Sequence, residues 1–150
     1  MPDFVVMGVD PGLKTGVGIV QFHSPKGCEL LHSDELDFDR VMGYCQLWMP
    51  NVTRLVVERF IINQRTIKNS QAPYSLEVIG VVRAIALQND LALEFQNAAD
   101  GKSVVDNAMI RRLGLWHRGG KGHALDAIRH TVAYAIRKGW RDPRLVAPEA

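Results

Sequence analysis

The stretch VMGVDPGLKTGVGIV, residues 6–20, decides the fold. An apolar run stops at Asp10-Pro11-Gly12, and a second run rich in Val and Ile resumes at Thr15. Two strands follow from this, Asp3–Asp10 and Thr15–Phe22, joined by a tight turn. Gly16 and Gly18 inside the second strand mark a place where another backbone comes close. Ser24-Pro25-Lys26-Gly27 reads as a turn and Cys28–Asp34 as a third strand. Connections this short suit an antiparallel meander.

Outward from that core, Phe38–Trp48 has helical spacing and Pro50 ends it. Thr53–Val57 is a buried strand with Glu58 at its end. Residues 59–72 are polar, basic and without period, which predicts a long loop or a loop with a short helix. Pro73 opens a helix to about Asn89, with a broad stripe from Leu76 to Ala86. Leu91–Phe95 is a fifth strand. Lys102–Leu113 and His123–Lys138 are further helices, parted by Arg118-Gly119-Gly120-Lys121-Gly122. Asp142–Ala150 reads as a loose tail. The order βββαβαβαα predicts an α/β fold: a mixed five-stranded sheet, three antiparallel strands and then two parallel, flanked by helices.

A chain of 150 residues, 47% apolar, suits a single domain. With 23% charged residues, disorder of the bulk is not expected. The net charge of +2 hides an asymmetry. Residues 1–96 carry 8 Lys/Arg against 11 Asp/Glu, and residues 97–150 carry 10 against 5. A basic region of this kind points to a polyanionic partner. The apolar run from Phe4 to Val9 follows no basic segment and is too short for a signal peptide or a membrane span. Cys28 and Cys45 form no Cys-x-x-Cys pair and fit a reducing cytoplasm, so a cytoplasmic protein without a membrane partner is expected.

Asp10 and Glu58 each close a buried strand. Open α/β sheets place their sites at such carboxyl ends, and neighbouring parallel strands would bring both acids to one edge. Taken singly, each also reads as a turn aspartate or a solvated strand end. The last helix adds His123, Asp126 and His130, which project within roughly 60° of one another. Leu125, Ile128, Val132 and Ile136 form an opposite, core-facing stripe. The plainer reading of the polar triplet is a solvated face with Asp126 paired to Arg129 or His130. Together, Asp10, Glu58 and Asp126 offer three carboxylates, with His123 as a fourth ligand. Such an oxygen-rich set suits Mg²⁺ or Mn²⁺. Two ions per site can clamp the attacking and leaving oxygens of a phosphodiester displacement. Residues 101–141 hold nine Lys/Arg against two Asp/Glu. Lys102, Arg111, Arg112, Arg118, Lys121, His130 and Arg137 are candidate phosphate contacts, with Lys14 in the first turn and Arg59, Arg65 and Lys68 in the loop after Glu58. Phe60 reads either as a base-stacking aromatic or as core.

These residues resemble the RuvC family of Holliday-junction resolvases, within the RNase H-like superfamily. The resemblance is carried by VMGVDPGLKTGVGIV at 6–20, LVVERF at 55–60 and GHALDAIRHTVAYAI at 122–136, with SLEVIGVVRAIA at 75–86 and GKSVVDNAMIRRLGL at 101–115 between them. It spans nearly the whole chain in order. It implies that Asp10, Glu58, His123 and Asp126 are metal-binding catalytic residues. It also implies that Lys102 and Arg111 face DNA, and that an Mg²⁺-dependent endonuclease acts on branched DNA. A homodimer through the helix at 75–89 is implied as well. The short chain resembles phage-encoded members. The chain departs from the family in a compressed segment before the last helix and in a longer, more basic loop at 59–74. The family's stacking aromatic falls one position beyond Phe60.

Two other readings stand beside this one: a YqgF-like RNase H-fold protein acting on ribosomal RNA precursors, and a non-catalytic junction-binding module. Residues 12–16 lack the order of a phosphate-binding P-loop.

Overall fold

The computed structural model describes residues 2–66, 68 and 72–149. Residues 67 and 69–71, part of the expected loop, lie outside the described residues. The strands are β1 (Phe4–Asp10), β2 (Lys14–Phe22), β3 (Cys28–Asp37), β4 (Arg54–Glu58) and β5 (Leu93–Gln96). They form one sheet in the order β3-β2-β1-β4-β5. β1, β2 and β3 run antiparallel, β4 is parallel to β1, and β5 is parallel to β4. The helices are α1 (Val41–Trp48), α2 (Ala72–Gln88), α3 (Ala98–Val104), α4 (Asn107–Arg112) and α5 (His123–Arg137). The expected α/β architecture is therefore present. Among the described residues, no helix is long and apolar enough to cross a membrane.

Side chains alternate across a strand, so each sheet face collects one parity. Met7, Val9, Val17, Ile19, Leu55 and Val57 meet α1 and α2 residues such as Tyr44, Val78, Val82 and Ile85 in one core. Val6, Val20, Phe22 and Val56 meet Ile110, Leu113, Ile128, Val132 and Trp140 in the other.

The expected helix Lys102–Leu113 is two helices. Val105 between α3 and α4 is extended and fully buried. Asp106 then caps α4 by accepting the Met109 N–H at 2.8 Å. A continuous helix would give up both the apolar anchor and the cap. The start of the expected loose tail is docked. Buried Asp142 accepts the Gly27 N–H at 2.9 Å, and a single helical turn spans Pro143–Leu145.

The tightest packing is between α5 and the sheet. A Cβ added at Gly8 would lie 2.1 Å from the Ala127 carbonyl oxygen, and one at Gly16 would lie 1.9 Å from that of His123. One at Gly18 would lie 2.7 Å from an Ile128 side-chain carbon. The helix supplies small residues on this face, Ala124, Ala127 and Thr131, all fully buried. The expected two-sided pattern of α5 therefore needs correction. Ile128 and Val132 are core, but Leu125 and Ile136 are only partly buried, whereas Arg129 and His130 are buried.

Gly16→Ala should lower stability by about 3 kcal/mol, because its methyl meets backbone that cannot swing aside. Gly43→Ala, in α1 with nothing within 4 Å of the added carbon, should gain about 0.5–1 kcal/mol. Urea unfolding of the two variants checks both signs.

Candidate active site

Parity and register assemble the site. Gly8 faces α5, so Asp10, two residues on, faces the same way. Val9 pairs with Val57 in parallel β4, which puts Asp10 beside Glu58 at the carboxyl edge. Glu58 in turn pairs with Gln96 of β5. The N-terminal half of α5 crosses this edge and brings His123, Asp126 and His130 to it.

Each acid has a protein partner. His123 Nδ1 lies 3.3 Å from an Asp10 carboxylate oxygen. His130 Nε2 lies 2.9 Å from Glu58 Oε2, and its Nδ1 lies 2.9 Å from Gln96 Oε1. Gln96 Nε2 donates to the His130 carbonyl at 3.3 Å, which fixes the amide orientation. Arg129 donates to Asp126 Oδ1 at 2.5 Å and to the Val105 carbonyl at 2.9 Å, and it also bonds the Asn107 side chain. Burial pushes the Asp10 carboxyl above its ordinary range; the His123 bond opposes this, and the charges of Glu58 and Asp126 add to it. His123 is raised in its turn, chiefly by its bond to Asp10.

The plainer sequence reading of Asp126, a pairing with Arg129, is realised. Among the described residues, no three of the His, Cys, Asp and Glu side chains gather in a form that would hold a metal ion. Glu58 and Asp126 are instead turned toward His130 and Arg129. The donor set still fits a hard divalent cation in kind. Three carboxylates and an imidazole share one edge, and Glu58 and Asp126 add to the upward shift of Asp10 that burial begins.

His130 requires a correction. It is 2% exposed, so it holds Glu58 and does not meet DNA. Arg112 donates to the Arg144 and Leu145 carbonyls, which ties the chain end down. Lys14 pairs with Asp37 at 2.6 Å. The guanidinium of Arg111 stacks over Trp116 at 3.5 Å, and that of Arg59 lies over Phe95 at 4.8 Å. Lys102, Arg118, Lys121, Arg65, Lys68 and Arg137 are exposed. Arg137 ends the 15-residue α5, about 22 Å from the site end by helical rise. Phe60 is half-buried.

Sequence reasoning missed Gln96 and Glu35. Glu35 pairs with Gly16 across β2 and β3, so it reaches the start of α5 over a position with no side chain. Its carboxylate accepts the N–H groups of Lys121 at 2.7 Å and His123 at 3.0 Å. Gly122, at φ 94°, has no side chain to cap the helix, and Glu35 does this from another strand. The glycines at 119, 120 and 122 were the available signal.

Compared with protein-family models, the chain matches none, and no curated protein sequence matches it. Among solved structures it is similar to T. thermophilus RuvC in complex with a Holliday junction substrate. The TM-score is 0.71 at 18% identity, covering 91% of this chain and 96% of that one. A second Thermus thermophilus RuvC structure gives 0.71 at 19% identity, covering 90% and 96%. The chain thus has the RuvC-like, RNase H-like fold over nearly its whole length.

Although burial pushes the Glu35 carboxyl up, the N–H bonds from Lys121, Ala124 and His123 outweigh it, and the net shift is downward. A carboxyl lowered in the folded state stabilises above its unfolded value, and that stability is lost as pH falls through the folded one. Glu35→Ala should therefore melt below the wild type at pH 7. The gap should narrow as pH drops below about 4. Melting curves from pH 7 to pH 3 check this.

Proposed function

We propose that the chain is a divalent-metal-dependent endonuclease that hydrolyses phosphodiester bonds in branched DNA, four-way junctions foremost. The observation that carries this is the gathering of Asp10, Glu58, His123 and Asp126 at the carboxyl edge of β1 and β4, on a RuvC-like fold. The relative of known structure is described as bound to a Holliday junction substrate, and the same class of DNA is proposed here.

Asp10, Glu58, His123 and Asp126 would hold the metal, with two Mg²⁺ per site and Mn²⁺ able to substitute. Bound ions would supply an activated water and neutralise the departing 3′ oxygen. The chain's own residues do the rest. His130, steadied by Gln96, balances the Glu58 carboxylate until a cation draws it. Exposed Lys102, Arg118 and Lys121 neutralise flanking phosphates, so affinity falls steeply with salt. Arg65 and Lys68 extend this surface on the other side of Glu58.

One such domain presents one site, and cutting two strands of a junction calls for two copies. Leu76 and Leu87 of α2 are 43% and 72% exposed, on the sheet face opposite α5, and this helix is the proposed contact in a homodimer.

Incubation with labelled four-way, three-way, flap and duplex DNA, with and without Mg²⁺, tests the reading. Paired symmetrical cuts in the four-way DNA are expected only with metal. Asp10→Asn should reduce cutting to background while junction binding persists in Ca²⁺. Undiminished cutting by that variant would overturn the assignment, and cutting of RNA alone would favour action on ribosomal RNA precursors.

A further inference from the structure

A groove of about 650 Å³ opens directly beside His123. That size falls within the range of small-ligand sites. We propose that it receives an unstacked nucleobase of the cut strand, next to the scissile phosphate, with Tyr74 as the stacking surface. The proposal rests on the nuclease reading above and deepens it by naming a nucleotide subsite.

The groove is built from rigid parts. Phe38, in the single turn after β3, and Tyr74, in the first turn of α2, make an edge-to-face pair with centroids 5.2 Å apart. Phe38 also packs against the core, so the partly exposed Tyr74 is the ring of the pair that can take a further one. Tyr74 is 37% exposed, and Leu13, on the β1–β2 turn, is 42% exposed; both line the groove. The two walls are tied together. Ser75, next to Tyr74 and buried, donates its hydroxyl to the Pro11 carbonyl at 3.2 Å. Thr15 accepts the Gly12 N–H and donates to the Gly12 carbonyl, which closes the same turn. Tyr74 therefore keeps its place relative to the turn that follows Asp10.

Charge decides what enters. Lys14 and Asp37 neutralise each other at 2.6 Å. That leaves Asp39 against Lys121 and the His123 imidazole, so the acid and the bases of the lining nearly balance, with the basic groups at the end beside Asp10. A neutral aromatic base suits the Tyr74 and Leu13 part of it, with its phosphate at the Lys121 and His123 end. Junction strands offer unstacked bases where duplex arms meet, and base–aromatic stacking is tolerant of sequence.

The test places 2-aminopurine, one position at a time, on either side of the cleavage point of a four-way junction, with the full-length protein in Ca²⁺. At one position, wild type should quench the fluorescence beyond its free-junction level. Tyr74→Ala should abolish the quench and raise KM for junction cleavage in Mg²⁺ roughly tenfold, with kcat within about twofold. Tyr74→Phe should restore both. Leu13→Glu, on the opposite wall, should mimic Tyr74→Ala without touching the aromatic pair. If Tyr74→Ala and Leu13→Glu both bind, quench and cut as wild type does, the subsite is wrong and the nuclease reading stands. If wild type neither binds nor cuts branched DNA, both fall together.

Discussion

The rest of the structure depends on the contact of α5 with β1 and β2, helix backbone nearly against strand backbone. Gly8, Gly16 and Gly18 make that approach possible, since a Cβ at Gly8 or Gly16 would sit about where a helix carbonyl now lies. The helix answers with Ala124, Ala127 and Thr131. A side chain of ordinary size at either surface would lift α5 off the sheet. His123 would then lose Asp10, and His130 would lose Glu58. The contact costs conformational freedom at three strand glycines, and burial of a helix on nearly all sides offsets it.

Holding the helix so close gathers like charge, and the fold balances each acid separately. Asp10 meets His123, Glu58 meets His130, and Asp126 meets Arg129. Two of the three basic partners, His130 and Arg129, are buried on α5 itself. Burying them is tolerable because their remaining donors are also used, by Gln96, Val105 and Asn107. At the head of the helix, Glu35 plays the reverse part and supplies the negative charge that the exposed N–H groups call for.

What was legible in the sequence was what short-range pattern encodes. Alternation and the Asp-Pro-Gly stop gave β1 and β2. Their parity, with that of β4, put Asp10 and Glu58 on one edge once the strands were neighbours. The extended break at Val105 was not legible, because the burial of that valine depends on the distant strands it packs against. His130 looked like a surface group because its partners are 72 and 34 residues away in sequence. Glu35 gave no signal for the same reason, acting 88 residues along the chain on the N–H of His123. Periodicity marks which face of α5 is apolar, but it cannot tell an exposed histidine from one satisfied by a glutamine on another strand.

The pairing pattern also bears on how a carboxylate can change partners. Arg129 reaches the Val105 carbonyl and the Asn107 side chain besides Asp126. His130 keeps Gln96 if Glu58 turns away. Each buried basic group thus keeps an anchor on its other nitrogens when its acid is drawn toward a cation, so the side chain stays in place although the donor that faced the acid gives up its partner. On the proposed reading, this is why the acids are paired with groups that have second anchors. The carboxylates are held apart and charge-balanced within the protein, yet they are free to converge. The scaffold that fixes α5 stays bonded while they do so.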